Sequence, residues 1–178
     1  MNSIEINNYL EKLFHENDEI DFGVLSADYL CKINFNELKD KFYIVNNQPS
    51  NMPGQHWLAI SKIDNNLQFF DSYGMGTTFY GKYMQKFVKS SKNVTESDRI
   101  LQYQYSDTCG QFCIFYIAKR YQGCSLEDIY KHFSSNTKLN DEIVKKFVTN
   151  KNHIFHKKCI SKRILLVQGC ICKNKITF

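Results

Sequence analysis

The sequence predicts an α+β protein, a small, mostly antiparallel sheet packed with helices around one buried central helix. Three observations carry that reading. KFYIVNN, HWLAISKI and LQFFDSYG are short runs of β-branched and aromatic residues bounded by turn formers, which is how strands read. The segments before and after them repeat apolar residues at helical spacing. One of these, Phe112 to Ala118, is apolar on nearly every face, so it must be surrounded by protein.

In chain order, Ser3 to Glu16 reads as an amphipathic helix through Ile4, Leu10, Leu13 and Phe14, with Asn2 or Ser3 as its cap. FGVLSADYL fits a turn into a short helix. KFYIVNN is the first strand. The two prolines, Pro49 and Pro53, fall in NNQPSNMPGQ, the plainest loop of the chain. HWLAISKI and LQFFDSYG form a hairpin across Asp64 to Asn66. Phe79 to Ser90 is helical, and RILQYQYS is a fourth strand. Thr108 and Gln111 have capping-box spacing, which starts a helix with Cys109 in its first turn and an end near Gly123. Leu126 to Phe133 and Asp141 to Thr149 are two further helices, capped by Ser125 and Asn140. Ile164 to Ile171 is a candidate final strand.

Length and composition bound the function. The 178 residues are 43% hydrophobic and 15% aromatic, which excludes a disordered chain and fits one domain over residues 1–178. No apolar run approaches the roughly 20 residues of a membrane span. The N-terminus lacks the basic region of a signal peptide. Seven cysteines at irregular spacing then read as reduced thiols in an intracellular compartment. Neither close pair, Cys109 with Cys113 or Cys170 with Cys172, is a CxxC, and the five histidines complete no zinc pattern, so no metal is expected. Residues 1–60 hold 4 basic and 9 acidic side chains, whereas the tail from Lys138 holds 10 basic and 2 acidic. A basic lobe of that kind suits a polyanion such as DNA, or simply a solvated lysine-rich surface.

The chemistry is carried by cysteine and histidine. A cysteine attacks as thiolate, and a helix N-terminus favours the anion. Cys109 has that position, while Cys113 lies one turn inside an apolar helix, where burial raises a thiol's pKa. A nucleophile needs a base, and the base needs an orienting group. His56 opens a strand after the proline loop, and Asp71 ends the next one. In a hairpin turning at Asp64 to Asn66 the two become neighbours. An oxyanion hole needs donors. The Cys109 backbone N–H is one, and the side-chain amide of Gln102 or Gln104 is the second.

GQHWLAI, FFDSYG and LQYQYSDTCGQFC, in this order, resemble the signature of the adenovirus-type (adenain-like) cysteine proteases, including those of virophages and Maverick/Polinton elements. The match covers residues 22 to 120. In that family the oxyanion glutamine stands seven residues before the nucleophile, as Gln102 stands before Cys109; in SUMO proteases it stands six before, where this chain has Tyr103. The resemblance implies Cys109 as nucleophile, His56 as general base and then acid, Asp71 as the orienting group, and Gln102 in the oxyanion hole. Asp71 departs from the glutamate of the adenovirus enzyme. The resemblance further implies an endopeptidase that needs no cofactor for its chemistry, acting on capsid or core precursor polypeptides in the virion and infected cell. It implies activation by DNA, which the basic residues 138–178 suit, and by a short peptide that adds a strand. SDRILQ lacks the cysteine that bonds that peptide in the adenovirus enzyme, which argues against a covalent activator. The rival readings are a SUMO- or ubiquitin-type isopeptidase of the same clan and a basic nucleic-acid-binding structural protein.

Overall fold

Five strands lie side by side in chain order: β1 (Ile20–Ser26), β2 (Asp40–Asn46), β3 (Trp57–Ile63), β4 (Asn66–Phe70) and β5 (Val94–Glu96). The computed structural model describes residues 1–150 apart from 16, 38, 92 and 93. The candidate strand Ile164 to Ile171 lies outside the described residues. The α+β class stands, and the sheet is mixed. Its centre, β2–β3–β4, is antiparallel, and both edge ladders, β1–β2 and β4–β5, are parallel.

The apolar run of β2 has to serve two layers. Phe42 and Ile44 face one side, Tyr43 and Val45 the other, and all four are buried. On the first side pack α1 (Ser3–Phe14), α3 (Cys109–Tyr121), α4 (Leu126–Tyr130) and α5 (Thr137–Thr149). On the second pack α2 (Lys82–Ser90) and a 3₁₀ turn at Leu30–Lys32. Every residue from Phe112 to Ala118 is fully buried, as a helix apolar all round requires.

The expected hairpin is present. Ile63 pairs with Asn66, and Asp64 takes a left-handed φ of 53°, which a short polar side chain tolerates in a two-residue turn. Asn2 caps α1 in a full capping box with Glu5, and Gly123, at φ 87°, follows the end of α3.

Four expectations are corrected. FGVLSADYL begins as strand, not turn: β1 is a half-buried edge, so its apolar pattern is diluted by Gly23 and Ser26. RILQYQYS is not a strand. The edge beside β4 is already taken by β5, and the amides of Leu101 and Gln102 both donate to the Ser72 carbonyl (2.8 and 3.0 Å) instead of to a ladder. The start expected at Phe79 belongs to a separate 3₁₀ turn, Thr77–Phe79, and α2 begins after Gly81. Asn140 is not a cap. Asn136 caps α5, and Asn140 is buried inside it, donating to the Leu101 carbonyl at 3.0 Å. That bond ties α5 to the segment leading into Cys109.

Candidate active site

His56 stands one residue before β3, where the β2–β3 ladder has just ended. Asn47 holds it there twice: the Asn47 Oδ1 accepts from the His56 backbone N–H, and the Asn47 N–H donates to the His56 carbonyl, both at 3.0 Å. Asp71 stands one residue after β4 and is fully buried. A hairpin two residues wide at its turn brings those two strand ends together, and His56 Nε2 lies 2.8 Å from Asp71 Oδ1.

The Asp71 carboxylate is saturated by donors. Oδ1 also accepts the Tyr73 N–H at 3.0 Å. Oδ2 accepts the Met75 N–H at 2.9 Å and the Tyr80 hydroxyl at 2.7 Å. Burial by itself pushes this carboxyl's pKa up, but the His56 bond, the two backbone donors and the imidazole's charge outweigh it and hold the group below the usual carboxylate range. Asp71 is therefore an anion that cannot turn away from the histidine.

Cys109 is the first residue of α3 and lines the same cavity as His56, Trp57 and Gln102. With Nε2 committed to Asp71, Nδ1 is the imidazole nitrogen that serves the sulfur. Burial pushes the Cys109 thiol up. The bond to His56, its charge and the backbone N–H groups of Trp57 and Gly110 reverse the sign, and the thiol pKa is lowered. Burial likewise favours neutral His56, yet the bonds to Asp71 and Cys109 raise it to about 9. A lowered thiol and a raised imidazole both favour the thiolate–imidazolium form of the pair. Cys113, fully buried one turn on, moves the other way, with its thiol raised well above the ordinary value by burial.

The expected capping box at this helix does not form. Thr108 is the N-cap residue, but its hydroxyl donates to the buried Asp141 on α5 at 2.8 Å, and Gln111 Oε1 is buried with no partner among the described residues. The bond to Asp141 orients the Thr108 side chain toward α5, and its oxygen accepts no hydrogen bond from the first turn of α3. Cys109 keeps its place at the helix start all the same, because that end is anchored to α5 rather than closed upon itself.

Gln102 is buried, and its amide orientation is set by three bonds. Oε1 accepts from the Ser72 hydroxyl at 2.6 Å. Nε2 donates to the Ser106 carbonyl and hydroxyl at 3.0 and 3.1 Å. The nitrogen thus points to the side of the cavity that Ser106 and Cys109 line. An oxyanion there competes with Ser106 for one of the two protons. Gln104, the other glutamine considered, lines a neighbouring cavity that Cys109 does not reach.

Cys109, His56, Asp71 and Gln102 thus converge from four chain segments. Sequence reasoning missed the packing that holds them. His56 is stacked between Tyr73 and Tyr80, with ring centroids at 4.9 and 5.9 Å. Trp57 Nε1 donates to the Met1 carbonyl at 3.1 Å, which fixes the indole beside Gly110. The turn DSYG hinted at Tyr73; no local signal marks Tyr80 or Met1. The cavity over Cys109 measures about 740 Å³. A cysteine and histidine in this arrangement can carry out acyl transfer.

No family model and no curated protein sequence matches the chain. Solved structures do match it. The crystal structure of the ASFV pS273R protease superposes with a TM-score of 0.56 at 19% identity, covering 87% of this chain and 67% of that one. Its Se-Met form superposes with a TM-score of 0.52 at 18% identity, covering 88% and 68%. At such identities the likeness is one of architecture, and the chain has the fold of that viral protease.

Proposed function

We propose that the protein is a cysteine endopeptidase in which Cys109, His56 and Asp71 act as a triad. The observation that carries this reading is Cys109 at the start of α3 in one cavity with His56, whose Nε2 lies 2.8 Å from the saturated Asp71 carboxylate. The Cys109 sulfur attacks the scissile carbonyl and an S–C bond forms. The oxyanion is received by the Cys109 backbone N–H and the Gln102 amide. His56 gives its Nδ1 proton to the leaving nitrogen as the C–N bond breaks. It then takes a proton from the water that hydrolyses the thioester. Asp71 keeps the imidazole in one tautomer and balances its charge throughout.

The viral fold neighbours and the Gln102–Cys109 spacing support a maturation protease of the adenain-like, virophage/Maverick type, with capsid or core precursor polypeptides as substrates. Such an enzyme acts in the virion and the infected cell. The basic stretch 138–178 supports DNA as a partner and activator.

The test is iodoacetamide labelling at mildly acidic pH followed by cleavage of denatured polypeptides. Cys109 is expected to react first, and Cys109→Ala to abolish both labelling and cleavage. Full cleavage by Cys109→Ala would overturn the proposal. Covalent capture by a ubiquitin- or SUMO-vinyl probe instead would favour the isopeptidase reading.

A further inference from the structure

A second cavity, about 630 Å³, adjoins the first at His56 and is not lined by the nucleophile. His56, Tyr73 and Gln102 border both cavities, whereas Cys109 and Trp57 border only the first. Its character differs. Met75, Phe79, Tyr80, Ile100 and Tyr103 line it together with Tyr73 and uncharged polar side chains, and among the described residues no Asp, Glu, Lys or Arg does. Ile100 and Phe79 leave 67% and 64% of their surface in water. Large apolar side chains held exposed at the border of a catalytic cleft are a recognition surface more often than an accident of packing.

The wall is also held in place. Tyr73, Met75 and Tyr80 are each bonded to Asp71, the carboxylate that orients His56. The Ile100 side is clamped to the 71–76 turn: Leu101 and Gln102 donate to Ser72, and a Cβ at Gly74 would meet the Arg99 backbone at 2.8–2.9 Å. A preformed apolar pocket costs little to occupy.

The direction of the chemistry says what fills it. On the reading of Cys109 and His56 given above, the imidazolium protonates the leaving amine, so that half of the substrate departs on the imidazole's side of the sulfur. We infer that this cavity is the leaving-group subsite and receives a large apolar side chain from one of the first two residues after the scissile bond. One of those two must point into it, because successive side chains of an extended substrate alternate. The polypeptides cleaved should therefore carry Leu, Ile, Met, Phe or Tyr just after the cut.

The experiment is cleavage of a peptide library from a digested bacterial proteome, with sequencing of the new N-termini. At the first or second product residue the large apolar side chains should exceed Asp and Glu by about tenfold or more. Ile100→Lys and Phe79→Lys, both at exposed positions, should reduce that ratio several-fold and admit acidic residues, with preferences before the cut unchanged. Cleavage without apolar enrichment at either position, or enrichment untouched by both substitutions, overturns the subsite while leaving the peptidase reading intact. No cleavage by the unaltered protein overturns both.

Discussion

Asp71→Asn separates charge from shape at the centre of the site. His56 is raised from 6.5 to about 9, and a shift of that size corresponds to roughly 3.4 kcal/mol in favour of the imidazolium. Burial opposes that shift, and Asp71 and the Cys109 thiolate share in producing it. Removing the carboxylate charge should forfeit roughly half, about 2 kcal/mol, or roughly thirtyfold in the ratio of ion pair to neutral pair. The amide that replaces Oδ2 also turns an N–H toward the Met75 N–H, which costs about 1–3 kcal/mol of stability as an unpaired buried donor. Tyr80 adapts, since its hydroxyl can accept as well as donate. The assay is the rate of Cys109 carboxymethylation against pH, with thermal unfolding run beside it to show that the variant is folded. The alkaline limb, where His56 loses its proton, should move down by about 1.5 pH in Asp71→Asn. A folded variant whose alkaline limb stays where the wild type has it would refute the idea that Asp71 maintains the ion pair.

Peptidase activity should follow a bell in pH. Its acid limb lies below the ordinary thiol value, because Cys109 is lowered, and its alkaline limb lies near 9, because His56 must still carry the proton it donates. A kcat/KM profile still rising above pH 9 would contradict this. Gln102→Ala should reduce kcat by roughly 10²–10³ while leaving Cys109 alkylation unchanged, because in the proposed mechanism the amide acts on the oxyanion and not on the thiol. Cys113→Ala should cost about 1 kcal/mol by leaving a small void in the core and spare both labelling and turnover, as denaturant melts and initial rates would show. Gly74→Ala forces a side chain into left-handed backbone (φ 65°) against the Arg99 main chain; roughly 2 kcal/mol, or about 4–8 °C in melting temperature, should be lost.

Much of the fold was legible where local and global demands agree. The hairpin was readable because Asp64 and Asn65 are turn formers between two apolar runs, and its position alone implied that His56 and Asp71 meet. The helix of Cys109 was readable because seven consecutive buried residues leave no polar face. The strand at the β4 edge was misread for the opposite reason. Val94–Glu96 is three residues long and has little apolar signal, while RILQYQYS looks like a strand but gives its amides to Ser72. Thr108 and Asn140 carry the side chains of caps, and both are instead oriented by tertiary bonds, to Asp141 and to the Leu101 carbonyl.

The sequence by itself determined which atoms are available for chemistry: one cysteine at a helix start, one histidine and one aspartate at the two ends of a hairpin, and a glutamine seven residues upstream. The first three follow from local spacing, and the choice of Gln102 over Gln104 from the family resemblance. What only the tertiary structure decided is how those atoms are charged and what surrounds them. The pKa values of Cys109 and His56 move, against the effect of burial on each charge, because the two side chains meet across the fold, Asp71 bonds the imidazole, and the Trp57 and Gly110 N–H groups face the sulfur. The apolar cavity beside His56 arises where the 71–80 and 100–104 segments face each other. Electrostatic and packing energies depend on distance in space and on burial, and neither is a function of separation along the chain.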